Sequence, residues 1–490
     1  MGKLLLGIDI GTSACKVAVF DEDGRVLAQA SRDYRVYYPK SGRAEQDPEE
    51  WWSAICEGIK EVLSGREAAA DEICGIGVDG QSWSAIPVDR DGKVLCRTPI
   101  WMDTRARDIC ERIKQEAFAE EIFEVAGNDF QPSYTTPKML WFKQEMPEVF
   151  AKTYQFLQSN SYIVYKLTDR MSQDCSQGYG IHFFDINRLT YHEELANKLG
   201  LSQELVPALY RCDEVVGEVT KQAAELTGLK AGTPVVAGGL DAACGTLGAG
   251  VYQVGQTQEQ GGQAGGMSIC TDKASAHKKL ILGTHAVPGL WLLQGGTVGG
   301  GGTLRWFRQE LGQGMSFDEL TKEAEKVPAG SEGVLFLPYM AGERSPVWNP
   351  DAKGVFYGLS YDKTRAHMIR AVLEGVAFSL EHNLRTAKET GAEAGVLNAM
   401  GGAANSRLWT QIKADVTGKT IQVPASDTAT TLGAALLAGV GCGIYKDYEE
   451  AVRRTIRITR VQEPDMERHA VYKKMMERYL ELSEKMQEIY

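Results

Sequence analysis

The sequence predicts an α/β protein built from two lobes of about 245 residues each. Three observations lead there. At 490 residues the chain holds two or three domains of ordinary size. Each half opens with apolar, strand-like runs and Gly-rich turns, then continues with helical spacing. No low-complexity tail or long linker interrupts it, so residues 1–245 and 246–490 are expected to face each other across a cleft, where small ligands bind.

Composition narrows the function classes. Hydrophobic residues make up 43% and charged residues 24%, as in globular proteins rather than disordered ones. With 53 Lys and Arg against 65 Asp and Glu, the formal net charge is -12. Such a chain repels polyphosphate backbones, so nucleic-acid binding is excluded as its main activity. A small anion held by backbone amides is not. The apolar opening reaches Asp9 too soon for a signal peptide. The uncharged stretch Thr430 to Tyr445 falls short of the roughly 20 residues of a membrane span and reads as a buried helix. Ten cysteines include no Cys-x-x-Cys pair, and seven histidines show no zinc spacing. Reduced core thiols in a cytoplasmic protein with no membrane partner are the expectation.

The elements follow in order. Residues 4–11, Cys15 to Phe20 and Val26 onward read as strands of an antiparallel meander, with a turn at Asp21 to Gly24. Pro48 to Leu63 is a helix with proline in its first turn. Ile73 to Asp79 and Ala85 to Asp89 return to strand, and Arg105 to Val125 reads as one helix. The middle, about 130–230, is more helical. Thr233 to Gly238 is a strand and Ala242 to Leu247 a helix. In the second half, Gln256 to Gly262, Met267 to Thr271 and Trp291 to Gln294 read as strands. Glycine-rich Gly295 to Gly302 precedes a helix at Leu304 to Leu311. Helices are expected at Arg365 to Thr390, Arg407 to Asp415 and Leu432 to Leu437, and Met466 to Ile489 as a charged, solvated cap.

Two motifs are decoys. Gly75 to Gly80 fits Gly-x-Gly-x-x-Gly but lies inside a strand instead of opening a helix. Gly418-Lys419-Thr420 lacks the earlier glycine of a phosphate-binding P-loop. Three signals carry chemistry. Asp9-Ile10-Gly11-Thr12-Ser13 sits between two strands, where a tight turn exposes N–H groups and hydroxyls to phosphate oxygens. Asp9 offers a carboxylate to Mg²⁺. Asp241, in Gly238-Gly239-Leu240-Asp241, stands at a strand's end, suited to cap the next helix or to accept a proton from a substrate hydroxyl. Glycine clusters at 261–266, 299–302 and 401–402, the last followed by Asn405, leave backbone open to close ligand approach.

On longer motifs the chain resembles the FGGY carbohydrate kinases from end to end. These motifs are Ser133-Tyr134-Thr135-Thr136-Pro137-Lys138-Met139-Leu140-Trp141 and Gly354 to Leu359 running on to Glu374. Phe336-Leu337-Pro338-Tyr339, Gly342-Glu343-Arg344-Ser345-Pro346 and Gln46-Asp47-Pro48 with Trp51-Trp52 look most like the xylulokinase branch. The resemblance implies a duplicated actin-like (ribonuclease-H-like) fold that holds ATP, Mg²⁺ and a sugar in the cleft. It implies Asp241 as catalytic base, and Asp9 with Asp241 as the carboxylates near Mg²⁺. Gly11, Thr12 and Ser13, Gly262 and Gln263, and Gly401, Gly402 and Asn405 would hold the nucleotide. Gln81, Ser82, Trp83 and Asp103 would face the sugar.

This chain departs from that branch in ways that bear on substrate. Ser82-Trp83-Ser84 replaces Met-His-Gly, Ala242 replaces an asparagine, and Gly262-Gln263-Ala264 replaces Gly-Thr-Ser. Lost hydrogen bonds to sugar hydroxyls are costly in a closed site, and Trp83 is expected to stack on a sugar face instead. D-xylulose is the expected acceptor, with another ketose, a glycerol- or erythritol-like polyol or gluconate as alternatives. An actin-like ATPase and a sugar-binding regulator are the rival classes. A homodimer is expected from the resemblance and from base rates.

Overall fold

The computed structural model describes residues 3–65, 68–425 and 428–490. Two seven-stranded mixed sheets organise it. In the first, Leu4–Ile10 pairs antiparallel with Ala14–Phe20, which pairs with Val26–Asp33. On its other side Leu4–Ile10 pairs in parallel with Ile73–Gly80. Pro234–Val236 and the short Gly239–Leu240 both extend that edge. The second sheet repeats the plan. Gln256–Gly261 pairs antiparallel with Gly265–Thr271, which pairs with Trp291–Thr297, and in parallel with Val396–Met400 on its other side. A meander whose first strand also starts a parallel pairing thus occurs twice, which is the duplicated fold the resemblance implies.

Leu4–Ile10 is buried at all seven positions because both its faces are covered. Leu4, Leu6, Ile8 and Ile10 join the cluster around Trp51, Ile55 and Ile59 of the helix Pro48–Leu63. The other face meets the helix Ala429–Gly441, which takes up the stretch read as a buried helix but ends at Gly441, short of Tyr445. That approach is backbone to backbone. A Cβ on Gly7 would lie 2.0 Å from the Thr431 carbonyl oxygen, and one on Gly77 1.9 Å from that of Ala434. The same helix meets Asp241–Gly248, where a Cβ on Gly433 would lie 1.9 Å from the Cys244 carbonyl oxygen. A helix from the second half of the chain therefore seals against the sheet of the first.

The predicted helix Arg105 to Val125 is two, Arg107–Ile113 and Ala119–Ala126. The apolar stripe of Ile109, Cys110 and Ile113 would continue into Glu116 and Glu120. The chain turns there instead, and brings Phe118 and Ile122 to the core. The final helix, Met466–Gln487, is more than a solvated cap. Tyr472, Met475, Met476 and Tyr479 form a buried stripe, and the Tyr472 hydroxyl donates to Glu374 Oε1 at 2.7 Å. Ile281–Thr284, Phe317–Glu325, Val396–Met400 and Thr420–Pro424 were not anticipated. Val396–Met400 carries a buried polar residue that disguises it: Asn398, whose amide donates to the Ala249 carbonyl. Among the described residues no helix is long and apolar enough to cross a membrane.

Gly77→Ala is expected to destabilise the fold by about 2–3 kcal/mol, because rigid backbone occupies the space of the new methyl. Gly395→Ala, whose nearest neighbour would be 3.6 Å away, serves as the control. Urea midpoints of the two variants check this.

Candidate functional site

The parallel register of Leu4–Ile10 and Ile73–Gly80 sets Asp9 beside Asp79. Gly239 pairs with Asp79 from the other side, and Asp241 follows two residues later as the first residue of its helix. The switch from Pro234–Val236 to Gly239–Leu240 needs glycine at 238. Its φ is +73°, and a Cβ there would lie 1.8 Å from the Val78 carbonyl oxygen. Three carboxylates thereby converge at the ends of adjacent strands.

Their electrostatics follow from burial and like charge. Asp241 is half-buried, and its Oδ1 accepts the Ala242 N–H at 2.7 Å. Burial, with the charge of Asp9 second, pushes its carboxyl up to about 7. Burial also raises Asp9, against hydrogen bonding that includes the Thr430 hydroxyl at 3.0 Å. Asp79 is fully buried, and its carboxyl hydrogen-bonds that of Asp9. Burial and the charges of Asp9 and Asp241 hold it well above the usual carboxylate range. Lys16, directly across the hairpin from Asp9 and exposed, draws both Asp9 and Asp79 back down. Sequence reasoning missed Asp79 and Lys16. Counting across the short turn from Asp9 would have found Lys16, whereas Asp79 needs the parallel register.

The turn Gly11–Ser13 is held from behind. Gln46 Nε2 donates to the Thr12 carbonyl at 2.7 Å, and Trp101 Nε1 to Thr12 Oγ1 at 3.0 Å. Gln81 is buried; its amide donates to Gln46 Oε1 at 2.6 Å and to the Gly11 carbonyl at 3.4 Å. Asp103 is fully buried, and takes both Arg105 Nη2 and the Ala44 N–H at 2.8 Å. It thereby fixes the loop that carries Trp101. Ser82 is half-buried. Trp83, at φ 55°, stacks on Tyr134 with centroids 4.1 Å apart and meets Tyr179 edge-on at 5.5 Å. Its ring is engaged by protein aromatics.

In the second lobe, residues 262–264 turn between Gln256–Gly261 and Gly265–Thr271. The helix Gly301–Glu310 begins against them. Gly301 N–H donates to the Gly262 carbonyl at 2.7 Å and Gly302 N–H to that of Gln263 at 3.0 Å. Gln263 Oε1 accepts from Arg305 Nη1 at 3.0 Å. Gly401, at φ +84°, lies against Gly261 and leads into the turn Gly402–Asn405. A cavity of about 420 Å³ opens between these loops, lined by Gly262, Gln263, Gly402, Asn405, Phe317 and Trp409. The predicted residues thus gather in two groups: carboxylates and a small-residue turn in one lobe, and a glycine-walled cavity in the other.

Sequence comparison identifies the family. The FGGY family of carbohydrate kinases, N-terminal domain, matches residues 4–248, and its C-terminal domain matches residues 266–442. The chain belongs to this family. A xylulose kinase of Bacillus subtilis is 31% identical over 479 residues, 97% of this chain and 96% of the relative. A gluconokinase of Bacillus licheniformis is 29% identical over 502 residues, 100% of this chain and 97% of the relative. The crystal structure of xylulose kinase from Rhodospirillum rubrum superposes with a TM-score of 0.93 at 29% identity, with 99% of each chain covered.

The site's charge state gives a stability test. Asp79 has its folded pKa raised above the unfolded value of about 3.9. Below that value the carboxyl is neutral in both states. As pH rises past it, only the unfolded chain ionises freely, so stability falls until the folded pKa is reached. Asp79→Asn removes this loss. Its melting temperature is expected to match wild type near pH 4 and to exceed it increasingly as pH rises from there.

Proposed function

We propose that this enzyme transfers the γ-phosphoryl group of ATP to a hydroxyl of D-xylulose, yielding D-xylulose 5-phosphate and ADP. The observation that carries the reading is Asp241: a half-buried carboxyl raised to about 7 by burial and by the charge of Asp9, in a member of a carbohydrate kinase family. A base poised near the working pH accepts a hydroxyl proton without being permanently protonated. The acceptor oxygen attacks the γ-phosphorus in line, its proton passes to Asp241, and ADP leaves. Phosphoryl transfer has a loose transition state, so positioning and charge stabilisation supply most of the acceleration.

The remaining residues take roles that fit this chemistry. The glycine-walled cavity accepts the nucleoside, with Gly262, Gln263, Gly401, Gly402 and Asn405 around it, and Gly11 to Ser13 meet the transferring phosphoryl from the first lobe. Lys16 adds a cation beside that turn. Asp79, buried and held protonated, hydrogen-bonds the Asp9 carboxylate and keeps it in place at the end of its strand. Asp9 would hold Mg²⁺, which supplies neutralisation of phosphate charge when bound, and Asp241 beside it stays free to take the acceptor proton. Gln81 and Asp103 serve the acceptor through the loops they hold, while Ser82 and the Trp83–Tyr134 stack wall its pocket. The reaction belongs in the cytoplasm, where ATP is available.

Gluconate is the second reading, favoured by a gluconokinase relative nearly as similar as the xylulose kinase and matched over the whole chain. ADP release with Mg²⁺-ATP against D-xylulose, other ketoses, glycerol, erythritol and gluconate separates the two. D-xylulose should give the highest kcat/KM. A gluconate preference would keep the kinase and move the substrate.

Asp241→Asn is expected to keep ADP affinity within about twofold and to lose roughly 10³-fold or more in kcat. In wild type, kcat/KM for the acceptor should fall about tenfold per pH unit below the Asp241 pKa of about 7. Calorimetric ADP titration and a coupled assay over pH check both. Near-normal turnover of the variant would remove Asp241 as the base.

A further inference from the structure

The face of the second sheet that looks toward helix Asp241–Gly248 is polar and glycine-rich, and Arg344 extends over it. Strand pairing aligns Gln260, Gly266 and Gly296 in one row across it, and Gln258, Ser268 and Gln294 in the next. Two contacts fix which way this face looks. Thr246 Oγ1, in that helix, donates to Gln258 Oε1 at 2.8 Å. On the opposite face, a Cβ on Gly295 would lie 2.1 Å from Asn383 Oδ1 of the long helix Arg365–Lys388.

Arg344 lies over this row. Its guanidinium carbon is 3.2 Å from where a Cβ on Gly296 would be, and Nη2 donates to the Thr297 carbonyl at 3.4 Å. The side chain is exposed, and among the described residues no carboxylate lies within ion-pair distance of it. The backbone beneath is clamped: buried Glu343 accepts the N–H of Val298 at 2.7 Å and of Arg344 at 2.8 Å through one oxygen. Val298 leads into the glycines that seat residues 262–264, so Arg344 is tied to the phosphate loop's own support. The glycine-walled cavity is lined by the turn Gly402–Asn405 and by Gly301, Leu304 and Arg305 of the helix Gly301–Glu310, and Arg344 is not part of its lining. Arg344 lies instead over Trp291–Thr297, on the face that Thr246 of helix Asp241–Gly248 meets.

We propose that Arg344 is a substrate-contacting residue of the second lobe, donating guanidinium N–H groups to oxygen atoms of the acceptor, with Gln260 beside it. Gly266 and Gly296 keep that part of the cleft deep. The fitting ligand is an extended polyhydroxylated molecule with several oxygens toward the second lobe. This assignment rests on the kinase reading, and it gives a role to the Gly342 to Pro346 motif, which the transfer mechanism leaves unused.

The test compares wild type, Arg344→Ala and Arg344→Lys on the best acceptor of the panel. For Arg344→Ala, kcat/KM for the acceptor should fall roughly 10- to 100-fold, while ADP affinity and melting temperature stay near wild type. Arg344→Lys should recover part of the loss, and free guanidinium ion should restore turnover to Arg344→Ala, which a structural role would not allow. An unchanged kcat/KM in both variants overturns the proposal and leaves the kinase reading intact. An equal loss of ADP affinity also overturns it, making Arg344 a nucleotide residue. Absence of acceptor-stimulated ADP release in wild type overturns both readings.

Discussion

Helix Ala429–Gly441 lies with its backbone against the first sheet at Gly7 and Gly77 and against helix Asp241–Gly248 at Gly433 and Gly248. No side chain fits between them, so these glycines set the distance at which the two halves of the chain meet. The consequence reaches the site directly. Thr430, in the first turn of this helix, donates to Asp9, and Asp241 opens the helix packed alongside. A contact that is pure close packing thus places a hydroxyl from the second half on a carboxylate of the first.

That packing also excludes water from beneath the carboxylates, and the charge states follow. Asp9, Asp79 and Asp241 are all raised by burial, and the charge of Asp9 further opposes ionisation of Asp79 and Asp241. Lys16 is the nearest counterweight, and it is exposed. The arrangement is costly for an empty fold and suited to a ligand that brings cationic charge with its phosphates. Asp241 differs from its neighbours by being half-open to the cleft, the condition for a group that exchanges a proton with substrate.

The second lobe works differently. Its loops carry few charges, and shape is set by glycines packed on carbonyls: Gly299 on Pro338, Gly300 on Ala264, Gly401 on Gly261. Backbone amides and a cavity suit a nucleoside, while the face over Gly266 and Gly296 suits oxygen-rich ligands. The duplicated fold therefore supplies a charged wall and a glycine wall from the same plan of meander plus parallel strand.

Local pattern alone determined the opening meander, the helix Pro48–Leu63, a buried helix within Thr430 to Tyr445 and the position of Asp9 at the end of the first strand, because hairpins, caps and apolar runs act over a few residues. Motifs in order were enough to reach the family. Tertiary structure decided what no local pattern holds. The parallel register put Asp79 beside Asp9 across 70 residues of chain. Gln81 and Asp103 found their partners in Gln46 and Ala44, and Trp83 found Tyr134, because each needs a neighbour distant in sequence to satisfy a buried polar group or cover a ring. The break after Ile113 depended on which face met the core. Arg344 became notable only once strand pairing showed which face of the second sheet it covers.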